Sequence, residues 1–135
     1  MIRQLDDKTL VSGQLTPDQV AGLKDHGVTL LVNNRPDNED AGQPLSSDFE
    51  AAADAAGIEY RHIPIRYGMG PSDVEAMRDA LHATGEGKLL AFCRSGNRST
   101  LAWAVARAED GAEPDELHQL AEAAGFSLAP VAHLL

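Results

Sequence analysis

The sequence is poor in cysteine, in aromatic residues and in positive charge, and it has no long hydrophobic run. Among 135 residues there is one cysteine, Cys93. An internal disulfide therefore cannot form, a disulfide-stapled secreted scaffold is excluded, and no second thiol is available to resolve an oxidised sulfur. Aromatic residues make up only 4%, while alanine is abundant, so the core is expected to rest on aliphatic contacts and closely approaching helices. Eleven Lys and Arg stand against 21 Asp and Glu, a formal net charge of −10. That balance repels nucleic acid and anionic membrane surfaces, and any anionic partner must be captured locally. The longest apolar runs, such as Val28 to Val32, are far too short to span a bilayer, and Met1 to Lys8 lacks the apolar core of a signal peptide. The cytoplasm is the expected compartment. His26, His62, His82, His118 and His133 show no ligand spacing, so neither a metal nor a cofactor is expected.

What is present is the composition of an ordinary folded protein, 43% hydrophobic and 24% charged, with the charges spread along the chain. One domain over residues 1–135 is expected. Short apolar runs alternate with alanine-rich amphipathic stretches, most of them punctuated as helices. Leu10 to Ser12 reads as a weak first strand. Thr16, Pro17 and Gln19 open a helix that Gly27 stops. Val28 to Asn33 is a strand followed by a polar loop, Asn34 to Gly42. Ser46 or Ser47 starts a helix ending at Gly57, and Ile58 to Ile65 is a strand interrupted near its end by Pro64. Ser72 to Glu75 reads as a capping box, Lys88 to Phe92 as a short buried strand, and Ser99 to Ala108 and Pro114 to Ala124 as further helices. The expected fold is a single α/β domain with a central, mainly parallel sheet of about four strands flanked by helices.

The chemistry concentrates in Cys93-Arg94-Ser95-Gly96-Asn97-Arg98-Ser99. A buried strand delivers a cysteine to a tight, glycine-containing turn that feeds a helix. Helix N-terminal amides, the helix dipole and the cations Arg94 and Arg98 all favour negative charge at that sulfur. The thiol is expected to ionise easily and to act as a nucleophile, with the loop binding an anionic substrate. Arg98 is placed to clamp two oxygens with its planar fork. The bland alternative, an inert buried cysteine, would leave two arginines beside an apolar sulfur without partners.

These residues resemble known families. Cys93 to Ser99 looks like the active-site loop of rhodanese-type sulfurtransferases. Much of the rest of the chain, from Leu10-Val11-Ser12-Gly13-Gln14 through Val32-Asn33-Asn34-Arg35-Pro36-Asp37 and His62-Ile63-Pro64, is similar to the small bacterial phosphatase-like domain also found fused to beta-lactamase-fold hydrolases. The resemblance implies a fold like that of the dual-specificity tyrosine phosphatases and a Cys93 nucleophile assisted by Arg98. It leaves phosphorus and sulfur chemistry both open.

Three departures from the phosphatase pattern favour sulfur. That pattern places five residues between cysteine and arginine, whereas four intervene here, Arg94 to Asn97, and a tighter cradle suits a single outer sulfur. Phe92 stands where the phosphatases have histidine. Their general acid, an aspartate after the strand matching Tyr60 to Ile65, is replaced by Arg66 and Tyr67. Asp37, Glu39 and Asp73 are the remaining candidate acids. Transfer from thiosulfate or a small persulfide needs no acid, because its leaving groups are already stable anions. The expected activity is therefore sulfane-sulfur transfer through a Cys93 persulfide, with Arg94, Ser95, Gly96, Asn97 and Ser99 binding the donor. The acceptor is an external thiol such as glutathione or a carrier protein. The alternatives are phosphoester hydrolysis through a phosphocysteine and a non-catalytic anion-binding module. Arg35 and Arg66 are candidate pocket residues, Arg35 weighed against an exposed ion pair with Asp37. Arg66 and Tyr67 read equally as a pocket wall or as a surface loop, His62 as a satisfied core or edge residue in preference to one facing the cleft, and Trp103 as core.

Overall fold

The structure is a computed structural model and describes residues 1–66 and 68–135. Among the described residues five strands form one sheet: β1 (Ile2–Asp6), β2 (Thr9–Ser12), β3 (Val28–Asn33), β4 (Glu59–His62) and β5 (Lys88–Phe92). Their spatial order is β1-β2-β5-β3-β4. β2, β5, β3 and β4 run parallel, and only β1 is antiparallel, hairpinned onto β2. The expected mainly parallel sheet is present, with five strands in place of about four. The additional strand is β1, in which Leu5 alone is fully buried while Arg3 and Gln4 are exposed. Such a polar edge strand is what keeps a sheet margin from pairing with another chain, and it gives almost no hydrophobic signal.

The helices are α1 (Ser46–Ala56), α2 (Pro71–Ala83), α3 (Asn97–Glu109) and α4 (Pro114–Ala123). They cover both faces of the sheet, which is why the central strands read as continuous apolar runs and not as alternating ones. On β5, Leu89 and Ala91 join a core with Met77 of α2, Trp103 of α3 and Leu117 of α4. Leu90 and Phe92 point the other way, to Leu31, Phe49 and Leu23, with the Phe49 and Phe92 rings 4.8 Å apart. α3 is buried almost all round, through Ser99, Thr100, Ala102, Trp103, Ala104, Val105 and Ala106. Its alanines let neighbouring elements approach closely, as the composition suggested. Trp103 is fully buried, and its Nε1 donates to Asp6 Oδ2 at 3.0 Å, tying α3 to the end of β1.

Two local expectations change. Thr16 to Gly27 forms two 3-10 segments, Pro17–Gln19 and Ala21–His26, in place of one α-helix. Its inward anchors, Val20 and Leu23, are three residues apart, which matches the 3-10 period. Gly27 does terminate it, at φ 80°. At the start of α2 the cap is Gly70, whose N–H donates to Asp73 Oδ2 at 3.0 Å, so Ser72 is not the capping residue. Among the described residues no helix is long and apolar enough to cross a membrane.

Candidate functional site

In a parallel sheet the segments leaving the C-terminal strand ends meet at one edge, and here four of them do. Gly13 and Gln14 follow β2, Asn34 and Arg35 follow β3, residues 63–66 follow β4, and Cys93 follows β5. The backbone laces them together. Cys93 N–H donates to Ser12 O at 3.3 Å, Asn34 N–H to Phe92 O at 2.8 Å, Gln14 N–H to Arg94 O at 3.2 Å and Ile65 N–H to Asn34 O at 3.0 Å. The Gly13 backbone runs so close to the cysteine loop that a Cβ there would sit 3.2 Å from Arg94 O, tighter than most side chains tolerate.

Cys93 is 1% exposed, and its sulfur accepts the Gly96 N–H at 3.1 Å. Gly96 makes that approach at φ 89°, a left-handed conformation that glycine adopts without strain. α3 begins at Asn97, so Arg98 lies in its first turn. The Arg98 guanidinium is bidentate on a carboxylate, with Nη1 2.8 Å from Glu39 Oε2 and Nη2 2.8 Å from Oε1, and Nη1 also donates to Ile65 O at 2.9 Å. Glu39 holds Arg98 above the usual arginine basicity against the opposing effect of burial, and the Cys93 sulfur adds a smaller contribution. The same Glu39 takes Arg35 Nε at 2.8 Å. Arg35 is 3% exposed, and its other nitrogens bind Gln14 Oε1 at 2.8 Å and Asp40. Asp40 in turn lies 3.5 Å from Arg94 Nε. A cavity of about 430 Å³ is lined by Arg35, Glu39, Asp40, Arg66, Arg94 and Arg98.

The expected residues are distributed unevenly around this cavity. Arg35, Arg66, Arg94 and Arg98 line it together. The Arg35 ion pairs are with Glu39 and Asp40 and are buried on the arginine side, in place of an exposed pair with Asp37. Ser99 is fully buried, and its hydroxyl donates to Asn34 Oδ1 at 2.8 Å. That hydroxyl is committed to the scaffold and not to a ligand. Ser95 lines a separate concavity beside Gly13 and Phe126, and its Oγ accepts the Asn97 N–H at 3.3 Å. Asn97 is exposed. His62 Nε2 donates to Arg35 O at 2.8 Å, bracing the loop after β3 from the neighbouring strand. Tyr67 lies outside the described residues.

The three candidate acids each have another engagement. Asp37 Oδ1 accepts the Ser46 N–H at the start of α1 at 2.8 Å, and Asp73 caps α2. Glu39 is driven down from 4.5 to about 2 by hydrogen bonds from Arg98, with burial opposing and Arg35 assisting, so it is a carboxylate at neutral pH. Because its folded value is depressed, Glu39 contributes stability that is present above pH 4.5 and is lost as the pH falls toward about 2. Acid titration of thermal stability should therefore show wild type above Glu39→Gln by about 1 kcal/mol at pH 6. The two curves should converge only below about pH 2, where the folded-state carboxyl is protonated as well. Curves separated equally at every pH would remove Glu39 ionisation as the cause.

Sequence reasoning missed Gln14 and Asn34. Asn34 is fully buried, and its Nδ2 donates to Ile63 O at 3.0 Å while its Oδ1 receives Ser99. The available signal was a polar pair, Asn33-Asn34, closing an apolar strand where polar side chains need buried partners.

Residues 1–110 match the family described as "Beta-lactamase hydrolase-like protein, phosphatase-like domain". A Beta-lactamase hydrolase-like protein of Xylella fastidiosa is 33% identical over 129 residues, which cover 94% of this chain and 30% of that protein. The chain thus spans less than a third of that relative's length. A candidate phosphatase of Neisseria meningitidis, known from its crystal structure, is 31% identical with a TM-score of 0.83, over 98% of this chain and 94% of that one. Tk-PTP in its active form shares the fold at 15% identity and a TM-score of 0.71, covering 95% of this chain and 87% of its own. These names are those of phosphatases and of a hydrolase-like protein. They support the phosphatase alternative better than they support sulfur transfer.

Proposed function

We propose that this chain, which belongs to the family of phosphatase-like domains of beta-lactamase hydrolase-like proteins, hydrolyses phosphate monoesters through a phosphocysteine on Cys93. The observation that carries this reading is the buried Cys93 sulfur, with the Gly96 amide on it and the Arg98 fork at the arginine-lined cavity. The Glu39 carboxylate occupies both nitrogens of that fork, which supports a site able to take two oxygens of a phosphoryl group in the same way. In the first step Cys93 Sγ, as thiolate, forms a bond to phosphorus, and the ester P–O bond breaks with its electron pair leaving on the alcohol or phenol oxygen. Water then attacks phosphorus, the P–S bond breaks, phosphate departs and the thiolate returns. With Asp37 and Asp73 engaged at helix starts and Glu39 held as a carboxylate by the arginines, esters whose leaving group needs little protonation are the favoured substrates.

The same engagement of the acids favours a second reading, sulfane-sulfur transfer. Cys93 thiolate would attack the outer sulfur of thiosulfate, the S–S bond would break with its electron pair leaving on sulfite, and Cys93 would carry a persulfide. An external thiolate then takes the outer sulfur and releases the Cys93 thiolate. Intact mass spectra after parallel treatment with an aryl phosphate and with thiosulfate distinguish the two. The phosphatase reading expects phosphate release, inhibition by vanadate and a trapped phosphoryl adduct. No phosphate release from aryl or acyl phosphates, with one added sulfur that cyanide removes, would transfer the assignment to sulfur. No adduct from either donor would leave an anion-binding module.

A further inference from the structure

Next to the arginine-lined cavity, and sharing Arg66 and Arg98 with it, lies a second concavity of about 540 Å³. Its other walls include Ile65, Met69, Leu101, Val131 and Leu134. Leu101 follows Arg98 by three residues on α3, so one helix face presents the guanidinium and then an apolar side chain. Ile65 belongs to the segment whose carbonyl receives Arg98 Nη1 at 2.9 Å, which holds the two concavities in fixed relation. Leu134 is 44% exposed, one of three large apolar side chains so open among the described residues. The cations stand at the shared border, and the far walls are mostly apolar. The volume lies within the range typical of small-molecule sites.

We propose that this groove is the subsite for the apolar body of the substrate whose oxyanion sits at Arg98. The substrate class is an organic oxyanion bearing an aryl or alkyl group: an aryl phosphate on the first reading above, an aryl thiosulfonate on the second. The inference rests on the oxyanion site but not on which chemistry Cys93 performs. Charge complementarity sets the orientation, with the anionic head among the arginines and the apolar group along Leu101, Val131 and Leu134.

Unreactive phosphonates test this without turnover. Calorimetric titration of the wild-type chain should give naphthylphosphonate an affinity about tenfold above that of methylphosphonate, from the apolar surface buried. Leu134→Ser, at an exposed position that should not disturb folding, and Leu101→Gln should each reduce that preference to about threefold or less and leave methylphosphonate unchanged. Equal affinities in the wild type, or a preference that survives both variants, would overturn the groove while leaving the oxyanion site standing. Failure of both phosphonates to bind would overturn the oxyanion site, and the groove assignment with it. A groove covered by a second copy of the chain would appear as a concentration-dependent dimer that Leu134→Ser dissociates, and that result too would overturn the proposal.

Discussion

Replacing Cys93 with serine should abolish turnover, by at least about a thousandfold, while leaving the melting temperature nearly unchanged. The expectation follows from what the sulfur does and what surrounds it. Cys93 is 1% exposed, and its sulfur accepts the Gly96 N–H at 3.1 Å and interacts with Arg98. A serine oxygen is slightly smaller and accepts the same amide, so stability should change by no more than about 1 kcal/mol. Nucleophilicity does not survive the exchange, because a hydroxyl has no appreciable anionic form at neutral pH and no histidine precedes it to act as base; Phe92 occupies that position. Since Cys93 is the only cysteine, the covalent adduct formed by the wild type has one thiol on which to sit, and it should vanish in Cys93→Ser. Activity retained within tenfold, or an adduct of unchanged mass in the variant, would place the nucleophile elsewhere and sink both the phosphatase and the sulfur readings.

The contrast between local and distant features explains what could be read from the chain. The unit β5, cysteine loop and α3 was legible because every step in it is local. Lys88 to Phe92 is a run of strand length and Gly96 supplies the left-handed turn at φ 89°; the helix starts at Asn97, earlier than the expected Ser99, so Arg98 lies in its first turn and not in the turn before it. The doubly covered sheet was legible for a similar reason, through its alternation of apolar runs with capped helices. β1 was not, because an edge strand stabilised by backbone pairing and one buried leucine carries no periodic signal. Nor was the ligand of Arg98. Glu39 lies 59 residues earlier in a polar loop, and only the sheet order, which sets β3 beside β5, brings that loop to the cysteine. Ser99 reads as a donor-binding residue because its neighbours in sequence are candidate site residues, whereas its hydroxyl is bonded to Asn34. α3 turns successive side chains by about 100°, and that rotation sends Arg98 to the cavity and Ser99 inward to Asn34. The aspartates were ambiguous for the opposite reason: a carboxylate near a loop reads equally as an acid or as a helix cap, and Asp37 and Asp73 are both found at helix starts.

Arg98→Lys should reduce activity by roughly a hundredfold to a thousandfold, although it keeps the positive charge. The guanidinium makes three polar contacts at once, to both oxygens of Glu39 and to the Ile65 carbonyl, and it holds these from a fixed plane. A lysine ammonium is a point donor on a flexible stem and cannot present two parallel N–H groups to two oxygens. The loss should appear mainly in kcat, because charge attraction for the bound ester persists while the geometry that meets the transition-state oxygens does not. Arg94→Lys supplies the control. The Arg94 side chain is 70% exposed and lies 3.5 Å from Asp40, so the change should be less than about fivefold and confined to KM. Glu39 connects the two loops, and a double-mutant cycle separates its contribution. If Glu39 aligns the Arg98 fork, Glu39→Gln should lower activity in the wild-type background and have little further effect in Arg98→Lys. If it competes with substrate for the fork, Glu39→Gln should instead lower KM for the phosphate ester, and this gain should disappear in Arg98→Lys. Equal, additive effects of the two substitutions would show that the bidentate contact between them has no part in the reaction.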